Sequence, residues 1–252
     1  MGALMSQMTY AMTIAGFDGS GGAGILADIK AMKDFGVYGC SVCTALTVQN
    51  ESSFSDPGFL PWEKVRVQLE KLWEVRAYKY VKIGLVENAE MLQNIVEWLR
   101  AKSEDIFIIW DPIMGATAGY RFFSDDDADR FFPVFSAIDL ITPNQYEYAY
   151  LGLGVADSRS ELLVGKKTSI LLKGGHAEGE NSTDTLWHEG KIFKFTSKRF
   201  VGVDKHGSGC TLSSAILANV ALGKSLPESC QAAKLYIEKF LAGGEGRVGW
   251  VD

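Results

Sequence analysis

The chain has 252 residues, 47% hydrophobic and 22% charged, with a formal net charge of -6. This is ordinary globular composition, which excludes disorder, collagen and coiled coil, and it lacks the basic excess of a non-specific nucleic-acid binder. The core is large enough to stand without disulfides, and four cysteines are too few for a disulfide scaffold.

The start, "MGALMSQMTYAMTIAG", has no basic leader and runs directly into a strand, so no signal peptide is expected and the cytoplasm is the default location. "MGALMS" fits the loose myristoylation pattern but lacks the polybasic stretch or second anchor that stable attachment needs. "TYAMTIAG" reads as a first strand, and apolar positions recur at helical spacing from Ile25 to Phe35. "CSVCTALTVQ" is a second apolar strand. Its Cys40 and Cys43 have no second pair to complete a zinc site, and core packing is their expected role.

Pro61 stands at a first helical position before "WEKVRVQLEKLWEV". "YKYVKIG" is a strand, "NAEMLQNIVEWLRAK" a helix and "IFIIWDP" an apolar strand. Ser124 with Asp127 resembles a capping box opening "DDDADRFFPVF". "AIDLITPN", "TSILLKGG" and the pair "DTLWHEG" and "KIFKF" supply further strands. "NST" at Asn181 is a glycosylation sequon that matters only in a secreted chain. Helices follow from Cys210 to Leu222 and from Ser225 to Leu241, the second capped by Ser225 and Glu228 with Pro227 in its first turn.

This alternation predicts an α/β fold with a mostly parallel central sheet and helices on both faces, as a single domain over residues 1–252. No run approaches the roughly 18 apolar residues of a membrane helix. Ligands of such sheets bind beyond the carboxyl ends of the strands, where glycines, carboxylates, amides and a lysine gather.

Two stretches there point to phosphate chemistry. "GFDGSGGAGILAD" joins the first strand to the first helix, but it is neither a dinucleotide fingerprint nor a P-loop, and a tight turn would also account for it. "HGSGCTLSSAI" is stronger. Gly207, Ser208 and Gly209 leave backbone N–H groups free where a helix begins at about Cys210, which makes an anion site. A cysteine in that field should have a depressed pKa, unless it is simply a small residue filling a helix start.

Together with "WDPIMG", "LITPNQYE" and "LLKGGH", these stretches follow the order of motifs in the hydroxymethylpyrimidine/phosphomethylpyrimidine kinases of thiamin biosynthesis, which the chain resembles over nearly its whole length. The resemblance implies a ribokinase-like three-layer sandwich, with ATP and Mg²⁺ as cofactors and a pyrimidine alcohol as substrate. It implies that Cys210 stands where sugar kinases of the superfamily carry an aspartate base. Gly16, Asp28 and Gln49 would line the pyrimidine pocket, with Leu85 and Ile113 as its apolar walls. Asp111, with Glu147, would place magnesium. Asn144, Glu147, Lys173 and Asp184 would serve the nucleotide.

Residue by residue, other readings stay open: Asn144 as a helix cap, Asp111 as a turn former, Gln49 as a strand-end amide. None of the three histidines is assigned a catalytic role, and their scatter gives no metal-ligand spacing. Thr117 replaces a lysine usual in the family, and Lys205 is expected to compensate at the phosphates. Pyridoxal kinase and a catalytically weak vitamin-binding homologue are the alternatives. Neither nucleic acid nor a membrane is an expected partner, and dimers are common in the superfamily.

Overall fold

The computed structural model describes residues 8–115, 122, 128–153, 168–175 and 179–251. Thr117, His176, the Ser124/Asp127 capping box and the "MGALMS" start lie outside the described residues. Along the chain run β1 (Tyr10–Asp18), α1 (Gly24–Asp34), β2 (Tyr38–Gln49), β3 (Phe54–Asp56), α2 (Trp62–Trp73), β4 (Tyr80–Ile83) and α3 (Ala89–Lys102). There follow β5 (Phe107–Trp110), α4 (Ala128–Phe135), β6 (Leu140–Ile141), α5 (Gln145–Tyr150), β7 (Ser169–Leu172), β8 (Asn181–His188), β9 (Lys191–Lys198), α6 (Ser208–Ala221) and α7 (Leu226–Ala242).

The strands form one sheet in the order β3-β2-β1-β4-β5-β6-β7-β8-β9. From β2 through β1 to β7 the pairing is parallel. The short β3 at one edge and the β8–β9 hairpin at the other are antiparallel. The chain leaves β1 for β2 on one side and later returns to β4 on the other. That reversal opens a crevice at the carboxyl ends of these strands.

Period-two alternation sorts the side chains into two cores. Met12, Ile14, Ile108 and Trp110 face α2, α3 and α4, where Leu69, Leu92, Leu99 and Phe131 close one layer. Ala11 and Ile109 face the other way, against Met32 of α1, Ile216 of α6 and Ala233 of α7. This is the three-layer, ribokinase-like α/β architecture that the resemblance implies. Cys40 packs on the first core, and all four cysteines are free thiols.

Several local expectations shift. α6 begins at Ser208, before Cys210, because Gly207 takes the left-handed N-cap conformation at φ 75. Pro61 is the extended N-cap of α2 rather than its first helical residue. β3 and α5 span three and six residues, too short for a periodic pattern to announce them. The Ser225–Glu228 capping box forms as expected.

Candidate active site

The loop after β1 and the turn before α6 meet backbone to backbone. An added Cβ at Gly207 would collide with the Gly22 carbonyl, and its φ of 75 is already unfavourable for any other residue. Below this contact the Asp18 carboxylate accepts hydrogen bonds from the Ser20 and Ala23 backbone N–H groups, each at 2.9 Å. His206 Nε2 lies 2.9 Å from Asp18 Oδ2. Burial pushes the Asp18 carboxyl up, but His206, Ser20 and Ala23 outweigh it and hold it below the ordinary value. The unassigned His206 therefore ties the two glycine-rich loops together. Only its position next to "GSG" hinted at this role, since its partner is 188 residues away.

A charge cluster faces the mouth of α6. Asp111 directly follows β5 and Lys173 directly follows β7, so adjacent parts of the sheet deliver both to the same rim. Lys173 Nζ donates to Asp111 Oδ1 at 2.7 Å and lies 3.7 Å from Glu147 Oε2. Asp111 also accepts from Thr142 and Ser213. A Cβ added at Gly209 would sit 3.3 Å from Lys173 Nζ and 3.8 Å from Asp111 Oδ2, so the cluster rests against the helix entrance.

Burial would raise the Asp111 carboxyl, but Lys173 and Lys82 hold it below its ordinary range. Burial would likewise lower the Lys173 ammonium, yet Asp111 and Glu147 keep it above the usual lysine value. Glu147 goes the other way. Burial, with Asp111 adding to it, pushes its carboxyl up to about 7 against the pull of Lys173. Asn144 is a helix cap as well as a rim residue: its side chain accepts from the Glu147 N–H, and Glu147 reaches back to the Asn144 N–H.

Asp111 and Glu147 fit an oxygen-seeking dication that keeps most of its waters and takes further ligands from phosphates, as Mg²⁺ does. They do not fit an all-protein cage. Among the described residues no group of three or more His, Cys, Asp or Glu could hold a metal.

A cavity of ≈ 1030 Å³ opens along this rim. Gly16, Gln49, Leu85 and Ile113 line it, as do Asn144, Glu147, Lys173, Asp184, Lys205, Asp111 and the Gly207–Cys210 turn. Sequence reasoning missed two aromatic walls. Phe54 lies directly across the β2–β3 ladder from Gln49, and its ring meets Phe122 edge-on at 5.3 Å. Gln49 Nε2 donates to the Thr47 hydroxyl at 2.8 Å.

Asp184 accepts from the Gly174 N–H at 2.8 Å and pairs with Lys234 at 3.0 Å, so it fixes the end of β7 against α7. Three expectations need correction. Asp28 does not line the cavity; it is fully buried, with Lys82 Nζ at 2.5 Å and the Ser214 and Thr13 hydroxyls as further donors.

Cys210 is not acidified. Burial pushes its thiol up to about 11, and Lys82 only partly offsets this while Asp28 and Asp111 add to it. The helix end is present, but desolvation of the thiolate is larger. Finally, the Lys205 ammonium is not free to meet a ligand but is engaged by the protein's own backbone. It donates to the carbonyls of Gly246 and Val248 at 2.9 and 3.0 Å.

The chain matches the family model described as phosphomethylpyrimidine kinase over residues 18–249. It is 36% identical over 236 residues to the hydroxymethylpyrimidine/phosphomethylpyrimidine kinase of Aquifex aeolicus, covering 90% of this chain and 92% of that protein. Among solved structures it is similar to the phosphomethylpyrimidine kinase of Clostridium difficile 630, with a TM-score of 0.75, 32% identity, and coverage of 91% of this chain and 98% of that one. The pyridoxal kinase of Staphylococcus aureus, solved with AMP-PCP and pyridoxal, superposes with a TM-score of 0.83 at 26% identity, covering 98% and 94% of the two chains. No helix among the described residues is long and apolar enough to cross a membrane. By the span of the matched model and the identity to its relatives, the chain belongs to the phosphomethylpyrimidine kinase family.

Proposed function

We propose that the protein is an ATP-dependent kinase that phosphorylates the hydroxymethyl group of 4-amino-5-hydroxymethyl-2-methylpyrimidine, and then the resulting monophosphate. One observation carries this reading: the Gly207–Cys210 turn at the start of α6 meets Lys173 in a cavity that is also lined by the Gln49 amide and the Phe54 and Phe122 rings. The Gly207–Cys210 turn cradles the migrating phosphoryl group, and Lys173 neutralises charge on the nucleotide. Mg²⁺, held through Asp111, Glu147 and waters, would supply charge neutralisation between phosphates. Gln49 bonds the polar edge of the ring, and Phe54 and Phe122 cover its apolar surface.

Cys210 sits at the reacting end. Its thiolate accepts the proton of the attacking hydroxyl, the O–P bond forms, and the bond to the leaving ADP oxygen breaks. Turnover of the pyrimidine with release of ADP, compared side by side with pyridoxal, tests the assignment; absence of pyrimidine turnover would sink it. The likeness to the Staphylococcus aureus enzyme keeps pyridoxal as the second reading.

Two variants separate the ends of the cavity. Gln49→Leu is expected to raise the pyrimidine KM about tenfold or more, since a hydrogen-bonding edge loses its partner, while the ATP KM stays within about twofold. Gly207→Ala should act oppositely. The left-handed backbone alone costs about 1–2 kcal/mol, and the clash with Gly22 displaces the turn. Weakened binding of an ATP analogue, with a lowered Tm, checks it by calorimetry and thermal unfolding.

A further inference from the structure

Lys205 is nine-tenths buried, yet among the described residues no carboxylate pairs with it. Its ammonium instead holds the Gly246 and Val248 carbonyls, and the carbonyl between them, on Arg247, accepts from the His206 N–H at 2.8 Å. Three consecutive carbonyls of the segment after α7 are thus fastened to two consecutive residues. The same two residues open the anion turn, where the Ser208 N–H donates to the Lys205 carbonyl at 3.3 Å and His206 reaches Asp18. Arg247, in the middle of the segment, also pairs with Asp204, the residue before Lys205, at 2.6 Å. An uncompensated buried cation costs desolvation free energy and needs strong dipolar partners, so the fold holds it there against a penalty.

We propose that Lys205 is a positioning residue: a built-in cation that straps the 246–248 segment to the anion turn, aiming the Gly207 and Gly209 N–H groups and setting nucleotide affinity. The inference rests on the reading of that turn as the phosphate cradle but not on which vitamin precursor is the acceptor. A second cavity, of ≈ 500 Å³, opens beside Lys205, between Asp204, Leu241 and Arg247, and gives small amines a way in.

The test is calorimetric binding of a non-hydrolysable ATP analogue, with ATP and pyrimidine KM measured alongside. Lys205→Met is expected to weaken analogue binding about tenfold or more, with the pyrimidine KM changed less than about twofold and a cooperative melt retained. In Lys205→Ala, methylammonium is expected to recover at least about threefold of the lost affinity, which a purely packing role would not allow. Should Lys205→Met not fold, Lys205→Gln, which keeps a donor without the charge, is read by the same criterion. Analogue affinity within about twofold of the native protein, or loss without amine rescue, overturns the proposal. A native protein that binds the analogue but does not phosphorylate the pyrimidine overturns the assigned substrate and leaves this inference standing.

Discussion

Cys210→Ala is expected to lower kcat by about 10²–10⁴-fold, the range that a positioned general base contributes, with little change in the KM of either substrate. The reason lies in the protonation state of a buried thiol. With its pKa pushed up to about 11, the group is overwhelmingly the neutral thiol at pH 7. If the thiolate takes the hydroxyl proton, the active population grows tenfold for each pH unit up to about 11. The native enzyme should therefore show log kcat rising with a slope near +1 between pH 7 and 10, and the alanine variant should be flat. A carboxylate at this position is ionised throughout that window, so Cys210→Asp is expected to flatten the profile while keeping more rate than alanine. A native profile flat over the same range would mean that the sulfur orients the hydroxyl without accepting its proton.

Lys82→Met is expected to destabilise the fold by about 3–5 kcal/mol, because it leaves the Asp28 carboxylate buried without its counter-charge. For a chain of this length that corresponds to a fall in Tm of the order of 10 °C. Both side chains are fully buried, and Asp28 gathers donors from β1, β4 and α6 onto α1. Ser214, one of those donors, lies one helical turn beyond Cys210, so the loss should also loosen the start of α6. Removing both charges is the control. Lys82→Met with Asp28→Asn is expected to cost clearly less than the sum of the singles, as coupled neighbours do. Thermal and denaturant unfolding check both statements, and a single-variant cost under about 1 kcal/mol would contradict them.

The two loops and the lysine rim were legible from "GFDGSGGAG", "HGSGC" and "LLKGG" because each is a local arrangement: glycines permit the backbone, and a helix start supplies the N–H groups. Gly16, Gln49, Leu85 and Ile113 reach one cavity because all stand at or just beyond strand ends, which period and turn residues mark. Asp28 looked like a pocket carboxylate from the motif around it. Its exclusion from the cavity depends on Lys82, 54 residues later and on a different strand.

Strand and helix periods, and hence the layers and the rim, were determined by the sequence alone, since apolar spacing along a segment decides which face it buries. Only the tertiary structure decided where the buried charges find their partners: Asp28 with Lys82, Asp18 with His206, and Lys205 with two carbonyls. It also decided that Cys210 rests as a thiol. Each of these depends on desolvation set against contacts between distant segments, and that balance exists only once the layers have packed.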